Sequence, residues 1–551
     1  MPADPNRPLL VGTSLAVALV TMSVVLFWLF SPGNGAPVET LAIDSTPAVD
    51  DTEITGTTGT TRISTTVIEP STTVSTTLPD TPLHAWVDRR TVGEPWGDAV
   101  EGLLTFRGNP TNTYYGTGPI PTTPEIKWSY PDSPMCSAST DLGVTSTWCG
   151  NGWTGQPVIW ERPDGITEMI FGAYDRRLHF LDAESGQPTR SPILTGDIIK
   201  GTPTIDPDGY PLVYFGSRDN KLRAVALDRT EPVVIWEVEA KACSPGSSGY
   251  QACLQDLDGL VSAGRWNDDW DASPRIVNDH LFEGAENGWF HIFKLNRDYD
   301  DLGLVTLDPD LKFKTETYTE QLLNDIGPGY PAVSVENSSA IFEGTVYFAN
   351  SAGRVLGLDI TNIESGEAPI VFDYWVGDDV DASIVIDEEG MLYVSVEYER
   401  YLDRAKELGQ LIKLDPSKED PYVWGMYSLT TPPVKGGLWS TPALGQEVLY
   451  AVTNKGNLVA VDRETGEEVW VYQVGEGSWS SPAIVDGHLI VAGNTGLLRD
   501  FFIGGDERNP ILQWTFKVGN GNIEATPAVW NGMIYIGNRD GFMYAIGQQN
   551  G

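Results

Sequence analysis

One two-strand phrase recurs eight times between residues 169 and 547, and no other property of the sequence restricts the fold so strongly. It reads "MIFGAYDRRLHFLD" from Met169, "LVYFGSRDNKLRAVALD" from Leu212, "LFEGAENGWFHIFKLN" from Leu281 and "VYFANSAGRVLGLD" from Val346. It returns as "MLYVSVEYE" with "GQLIKLD" from Met391, "LYAVTNKGNLVAVD" from Leu449, "LIVAGNTGLLRDFF" from Leu489 and "IYIGNRDGFMYAIG" from Ile534. Each copy alternates apolar and polar residues, turns on small or polar residues, and resumes the alternation, which is the pattern of a half-buried hairpin. A chain of 551 residues exceeds one ordinary compact core, but eight equal units can share the load as a repeat.

A further short strand precedes each copy, often announced by a small residue and proline: "GQPVIW", "GTPTID", "ASPRIV", "STPALG", "SSPAIV" and "ATPAVW", with "SAIF" and "ASIVI" lacking the proline. Strands such as "VVIW" at 233, "IVFDYW" at 370, "YVWGM" at 422, "VWVY" at 469 and "LQWTF" at 512 follow. Four strands per unit, at a period of about 53 residues, predict the blades of an all-β, eight-bladed β-propeller. The last copy has no trailing strand, whereas "EIKWSY" at 125–130 precedes the first copy without inner strands of its own. That orphan is expected to complete the final blade, which would remove an exposed sheet edge.

The unit "SPAIVDGHLIVAGNTG" and the ending "VDRETGEEVW" resemble the PQQ-like repeat, shared by quinoprotein dehydrogenases and by non-enzymatic outer-membrane assembly-factor propellers. The resemblance covers about residues 102 to 547 and itself implies eight blades. It records fold ancestry and leaves function open. Within the unit, Trp470, like Trp128, Trp236, Trp424 and Trp514, is expected to fill the widening gap between blades. Asp462 and Thr465-Gly466 suit the turn between strands three and four.

The chain before the propeller divides into three parts. Residues 1–8 form a short head. Residues 9–30 carry no charge and, as a helix, reach ~33 Å, enough to cross a bilayer. Arg7 lies on their amino side and acids follow on the other, so an uncleaved, single-pass signal anchor with an extracytoplasmic carboxy-terminal domain is expected. A cleaved secretion signal is the alternative, opposed by the bulky end "VVLFWLF" and a poor cleavage site. Residues 31–84 are a Thr/Ser/Pro-rich tract with too few apolar groups to offset ordering, hence a disordered linker. Residues 85–551 are assigned to the propeller. The four cysteines form two local pairs, Cys136 with Cys149 and Cys243 with Cys253, and disulfides there would agree with an oxidising compartment.

Propeller function resides in loops at a channel mouth, because blade packing occupies the sheets. The loops ahead of the inner strands nominate Trp153, Lys200, Trp270, Asp271, Asp381, Trp439, Trp479 and Glu524 as an aromatic and acidic rim. Insertions at 241–270 and 297–331 would supply a lid or partner surface. The strings Asp268, Asp269, Asp271 and Asp378, Asp379, Asp381 read as solvated loop charge, with structural Ca²⁺ binding as the alternative. "NDDWDASP" at 267–274 is similar to the Asp-x-Trp-Asp segment of quinoprotein dehydrogenases. Against that activity stand the lack of an adjacent Cys-Cys pair, of a recognisable Ca²⁺ ligand set and of a haem-attachment segment. No other catalytic signature is found and the chain has only five histidines.

A net charge of −41 would repel nucleic acid. The sequence therefore predicts a monomeric, membrane-anchored binding or assembly scaffold of the cell envelope, without catalysis and with no resident cofactor, meeting envelope proteins, small ligands or glycans at the channel mouth. PQQ with Ca²⁺ belongs to the alternative, a quinoprotein dehydrogenase of alcohols or sugars. A solute-sensing ectodomain is the third reading.

Overall fold

Each of the eight phrases folds as a central hairpin of a sheet with four antiparallel blade strands, to which blades 1 and 8 add a fifth short strand, in a computed structural model of the chain. The structure describes residues 86–141, 144–152, 155–242, 261–262, 269–327, 333–426, 436–475 and 477–550. The chain separates into two units, Met1–Leu78 and Pro79–Gly551, and every described residue belongs to the second. The head, the expected span at 9–30 and the linker therefore lie outside the described residues, as do Trp153, Cys243 and Cys253. Among the described residues no helix is long and apolar enough to cross a membrane.

The sheets form blades in chain order. Their inner strands are Val158–Glu161, Thr204–Ile205, Arg275–Val277, Ala340–Phe342, Val385–Ile386, Ala443–Leu444, Ala483–Val485 and Ala528–Trp530, for blades 1 to 8. Blade 8 is completed by Pro124–Tyr130, antiparallel to Met543–Gln548 with Trp128 opposite Ala545, so both ends of the propeller domain share one sheet as the sequence predicts. The apolar clusters lie between blades. One joins blades 1 and 2 through Ile170 and Val213, another joins blades 5 and 6 through Tyr393 and Leu449, and a third joins blades 8 and 1 through Ala545 and Met169. No blade buries its faces alone.

The recurrent small-residue-proline step has a specific task. In blades 2 to 8 the residue ahead of the inner strand accepts, on its hydroxyl, the N–H of its equivalent in the preceding blade. Gln156 N–H donates to Thr202, Thr202 to Ser273, Ser273 to Ser338, Ser338 to Ser383, Ser383 to Thr441, Thr441 to Ser481 and Ser481 to Thr526, at 2.8–3.4 Å. Thr526 N–H closes the circle on the Gly155 carbonyl at 3.3 Å. Proline follows six of these eight positions, where an N–H would have no role in the ring. The two variants, Ser338 and Ser383, keep the hydroxyl, which is the part the ring needs.

The expected tryptophan and turn roles hold. Trp424 donates its indole N–H to the Arg463 carbonyl at 3.1 Å, and its ring lies where a Cβ on Gly466 (φ 74°) would approach to 2.6 Å. Trp128 does the same over Gly186 of blade 1. Asp462 Oδ1 accepts the N–H groups of Glu464 and Thr465 at 2.9 and 2.8 Å.

One element lies beyond the sequence expectation. Residues 102–117 run along the inner edges of all the blades. Gly102–Leu103 pairs with Ile159–Trp160 of blade 1, and Gly116–Thr117 lies parallel to Val529–Trp530 of blade 8. Between them, Leu104 O accepts from Ile205 N, Pro110 O from Ile341 N and Thr111 O from Ile386 N, at 2.8–3.1 Å. Arg107 donates to the carbonyls of Pro442 and Pro482 in blades 6 and 7. Arg275 of blade 3 donates to Thr105 Oγ1, Phe106 O, Asn109 O and Asn112 Oδ1. The edge groups left over by two- to four-residue inner strands thus find partners in the chain's own amino-terminal segment.

Candidate functional site

The amino-terminal segment occupies the level of the inner strands. On the other side of the hydroxyl ring, two residues earlier in the chain, each blade places one side chain at the axis: Lys200, Asp271, Glu336, Asp381, Trp439, Trp479 and Glu524 for blades 2 to 8. Six of these are nominated by the sequence; Glu336 is not. A second residue per blade comes from the turn between strands two and three, whose N–H bonds the pre-strand loop of the same blade. Arg218 bonds Ile198, Glu286 bonds Asp269, Ser351 bonds Ser334, Glu397 bonds Asp379, Asn454 bonds Gly437, Asn494 bonds Gly477 and Arg539 bonds Asn522. The mouth is basic at blade 2, acidic at blades 3 to 5, aromatic and amide-bearing at blades 6 and 7, and a Glu–Arg pair at blade 8.

The charges of blades 2 and 3 pair with one another. Lys200 Nζ bonds Asp271 Oδ2 and lies 3.5 Å from Glu286 Oε1, while Arg218 Nε meets Asp269 Oδ2 at 2.5 Å. Burial opposes the Lys200 ammonium, but Asp271 outweighs it and holds the amine protonated. Burial likewise opposes ionisation of Asp271, yet Lys200 keeps that carboxyl below the usual range. Asp269 and Glu286, facing the Asp271 charge in a buried setting, are pushed well above it. In blade 8, Glu524 Oε2 accepts from Arg539 Nη1 at 2.6 Å, and that guanidinium lies 5.1 Å from the Trp148 ring centre.

Blades 4 and 5 are different. Asp381 is 8% exposed and Glu397 6%, and Asp381 Oδ1, Asp379 Oδ1 and Glu397 Oε1 have no hydrogen-bond partner among the described residues. Burial first, then mutual repulsion, pushes Asp379, Asp381 and Glu397 well above the ordinary carboxylate range, and burial raises Glu336. The nearest base, Arg400, stands 3.6 Å from Asp379 and 3.7 Å from Asp378. Asp269, Asp271, Asp378, Asp379 and Asp381, expected to be solvated loop charge, are therefore buried, because the pre-strand loops fold inward to make the hydroxyl ring; Asp268 lies outside the described residues.

Trp270, expected at the rim, is a correction. It is fully buried, with its N–H on the Asn220 carbonyl at 3.0 Å and its ring 5.1 Å from His291, because Gly216 leaves room for it in the blade 2–3 interior. Trp439 and Trp479 are half-buried neighbours with ring centres 4.9 Å apart. The Trp439 loop sits one blade on from Asp381 and Glu397 and the Trp479 loop two, and Gly437 packs against the backbone of Val396–Tyr398, the turn that carries Glu397.

Cys136 and Cys149 form the expected disulfide at the base of the hairpin Cys136–Asp141 and Val144–Cys149. Its Trp148 reaches Tyr174 and Arg218. The insertion hairpin Arg297–Tyr299 with Val305–Leu307 is no lid for this mouth: Arg297 ties it to Asp206, Asp208 and Asp279 beside the connections at the opposite end.

Asp269, Asp271 and Glu286 bring ligand atoms within 4.8 Å of one another and are the one carboxylate group with metal-holding spacing among the described residues. Lys200 already stands against two of them and Arg218 against the third, so a cation there would have to displace internal ion pairs. For the quinone-Ca²⁺ pair implied by the enzyme branch the fit is poor: the cation position is taken and the tryptophan of the Asp-x-Trp-Asp segment is sequestered.

The comparisons agree with the repeat resemblance. Residues 409–551 match the family described as outer membrane protein assembly factor BamB. No curated protein matches the sequence. Among solved structures, a quinohemoprotein alcohol dehydrogenase from Comamonas testosteroni is similar over 82% of this chain and 81% of its own, with 11% identity and a TM-score of 0.51. BamB from Moraxella catarrhalis is matched over 77% of this chain and all of its own, at 10% identity and a TM-score of 0.36. The computationally designed Ika8 protein is matched over 72% and 96%, at 10% identity and a TM-score of 0.46. At 11% identity the likeness to the alcohol dehydrogenase is one of fold alone, a β-propeller.

Proposed function

We propose that this chain is a non-catalytic binding or assembly scaffold, held at the extracytoplasmic side of a cell membrane by residues 9–30 and presenting the Lys200–Glu524 mouth to its partner. The observation that carries this reading is an asymmetry of satisfaction. At one end the chain's own residues 102–117 bond inner-edge groups of blades 1, 2 and 4 to 8 and accept from Arg275 of blade 3, whereas at the other, buried carboxylates of blades 3 and 5 have oxygens with no hydrogen-bond partner among the described residues. Unsatisfied buried charge is costly to keep, and clustering at one mouth fits a surface completed by something else. The match of residues 409–551 to an assembly-factor family supports the scaffold class.

A photo-crosslinking residue in place of Trp479, in cells that make the full chain, tests the reading. A discrete crosslinked species is expected from that position and not from the exposed outer-strand position of Val423. The opposite pattern overturns it. For the quinoprotein alternative there stands only the metal-like spacing of Asp269, Asp271 and Glu286, already met by Lys200 and Arg218, and dye reduction by alcohols or sugars after loading with PQQ and Ca²⁺ would move the assignment there.

A further inference from the structure

We propose that the acidic and aromatic side of the mouth, Glu336, Asp381 and Glu397 beside Trp439 and Trp479, is a receptor for an alkylammonium group. The inference rests on the reading of this mouth as the recognition surface and names the chemistry it takes. The carboxylates do not make the site by themselves. Glu397 is nine-tenths buried and its carboxylate makes no hydrogen bond or ion pair among the described residues, and Asp381 Oδ1 is likewise without a hydrogen-bond partner. Both occupy axis positions, one from the pre-strand loop of blade 5 and the other from its turn between strands two and three. An internal precedent lies one blade pair away, where the Lys200 ammonium sits against the Asp271 and Glu286 carboxylates contributed by the same two positions of blade 3. Blade 5 repeats that acid pair, Asp381 with Glu397, and has no lysine from its neighbour: blade 4 supplies Glu336 where blade 2 supplies Lys200. Blade 5 thus keeps the acid pair where the neighbouring lysine is replaced by an acid, and its own cation, Arg400, is engaged by Asp378, Asp379 and the Ser351 carbonyl.

The adjoining blades fix the type of cation. The loop bearing Trp439 packs on the Glu397 turn, and the Trp439–Trp479 pair is half-exposed, so an alkyl stem leaving the carboxylates meets indole faces. A divalent metal would find no such use for the rings, and the only metal-like carboxylate spacing among the described residues is at the pair already filled by Lys200. The same head group could come from a free amine or from a lysine side chain of a protein. n-Butylammonium and pentalysine separate the two sources.

Titration calorimetry of the full chain at pH 7.5 with n-butylammonium, pentalysine and Ca²⁺ tests the proposal. Binding of either amine is expected, weakened about tenfold or more by Glu397→Gln and by Trp439→Ala and unchanged by Glu507→Gln at the far end. A preference for pentalysine assigns the head group to a protein side chain, and equal binding per ammonium assigns it to a free amine. Binding of Ca²⁺ alone, no binding of either amine, or amine binding indifferent to both mouth variants overturns the proposal. Melting curves of the variants identify any that fail to fold, and Asp381→Asn, equally isosteric, then replaces the failed variant. A crosslink from position 479 without amine binding would leave the scaffold reading standing while removing this one.

Discussion

The two ends of the propeller axis bury charge in opposite ways. At the sealed end, Arg275 and Arg107 are fully buried, and their guanidinium groups are surrounded by carbonyl and side-chain oxygens from the amino-terminal segment and the blades. At the mouth, blades 2 and 3 pair Lys200 with Asp271 and Arg218 with Asp269, whereas in blade 5 Arg400 stands against Asp378 and Asp379 and Asp381 Oδ1 and Glu397 Oε1 have no hydrogen-bond partner among the described residues. A groove of about 870 Å³ beside the sealed end shows the same economy. Its Glu507 is engaged by the N–H groups of Gln446 and Glu447, and its Arg463 by Asp387 and Glu388. The buried oxygens of Asp381 and Glu397 that lack a partner at the mouth are where a ligand is expected.

Four substitutions, in order of expected effect, can break or sharpen this contrast. Arg275→Leu removes the donor from oxygens of three chain segments that remain buried, and a loss of about 3–5 kcal/mol in urea unfolding is expected. Asp271→Asn, which breaks a satisfied pair and leaves Lys200 short of its counter-charge, is expected to cost about 3 kcal/mol in the same measurement. Thr202→Val keeps the shape but deprives the Gln156 N–H of its acceptor in the hydroxyl ring, for a loss of about 1–2 kcal/mol. Glu397→Gln should do the reverse of Asp271→Asn and raise stability by about 1 kcal/mol at pH 7.5, since it removes a charge that burial and Asp381 disfavour. Opposite signs for the two acidic mouth variants separate paired from unpaired carboxylates; equal losses would erase the distinction.

The blades, their number, the ring closure through 125–130 and the Asp-Thr-Gly turns were legible because each is written in local pattern: alternation, turn residues and a repeated period. The role of residues 102–117 was not. That segment has no alternation, and its meaning lies in single bonds from Arg107 and Asn112 to carbonyls of Pro442 and Ile384, hundreds of residues away. At the site, Lys200, Asp271, Asp381, Trp439, Trp479 and Glu524 could be named because they precede the inner strand at a fixed offset. Glu336 holds the same offset ahead of Ser338 and was missed because "NSSAIF" lacks the proline that flags the step. Glu286 and Glu397 sit in hairpin turns, where an acid reads as solvated. Their shared place just after strand two was the available signal. Trp270 misled because its neighbours Asp269 and Asp271 do face the mouth, while Gly216 opens the interior to the ring.

The pH dependence of stability tests most directly whether blades 4 and 5 hold uncompensated charge. Asp381 and Glu397 have folded-state pKa values raised by burial above those of the unfolded chain, so the native state binds protons more tightly. Their contribution is most favourable below about pH 4 and is lost as pH rises through the folded values. Unfolding free energy should be measured from pH 5 to pH 8 for the native sequence and for a chain carrying Asp381→Asn with Glu397→Gln. The account predicts that the native sequence loses stability relative to the double variant as pH rises. Parallel curves, or a native sequence that gains on the variant toward pH 8, would mean that these carboxylates are already satisfied and would contradict it.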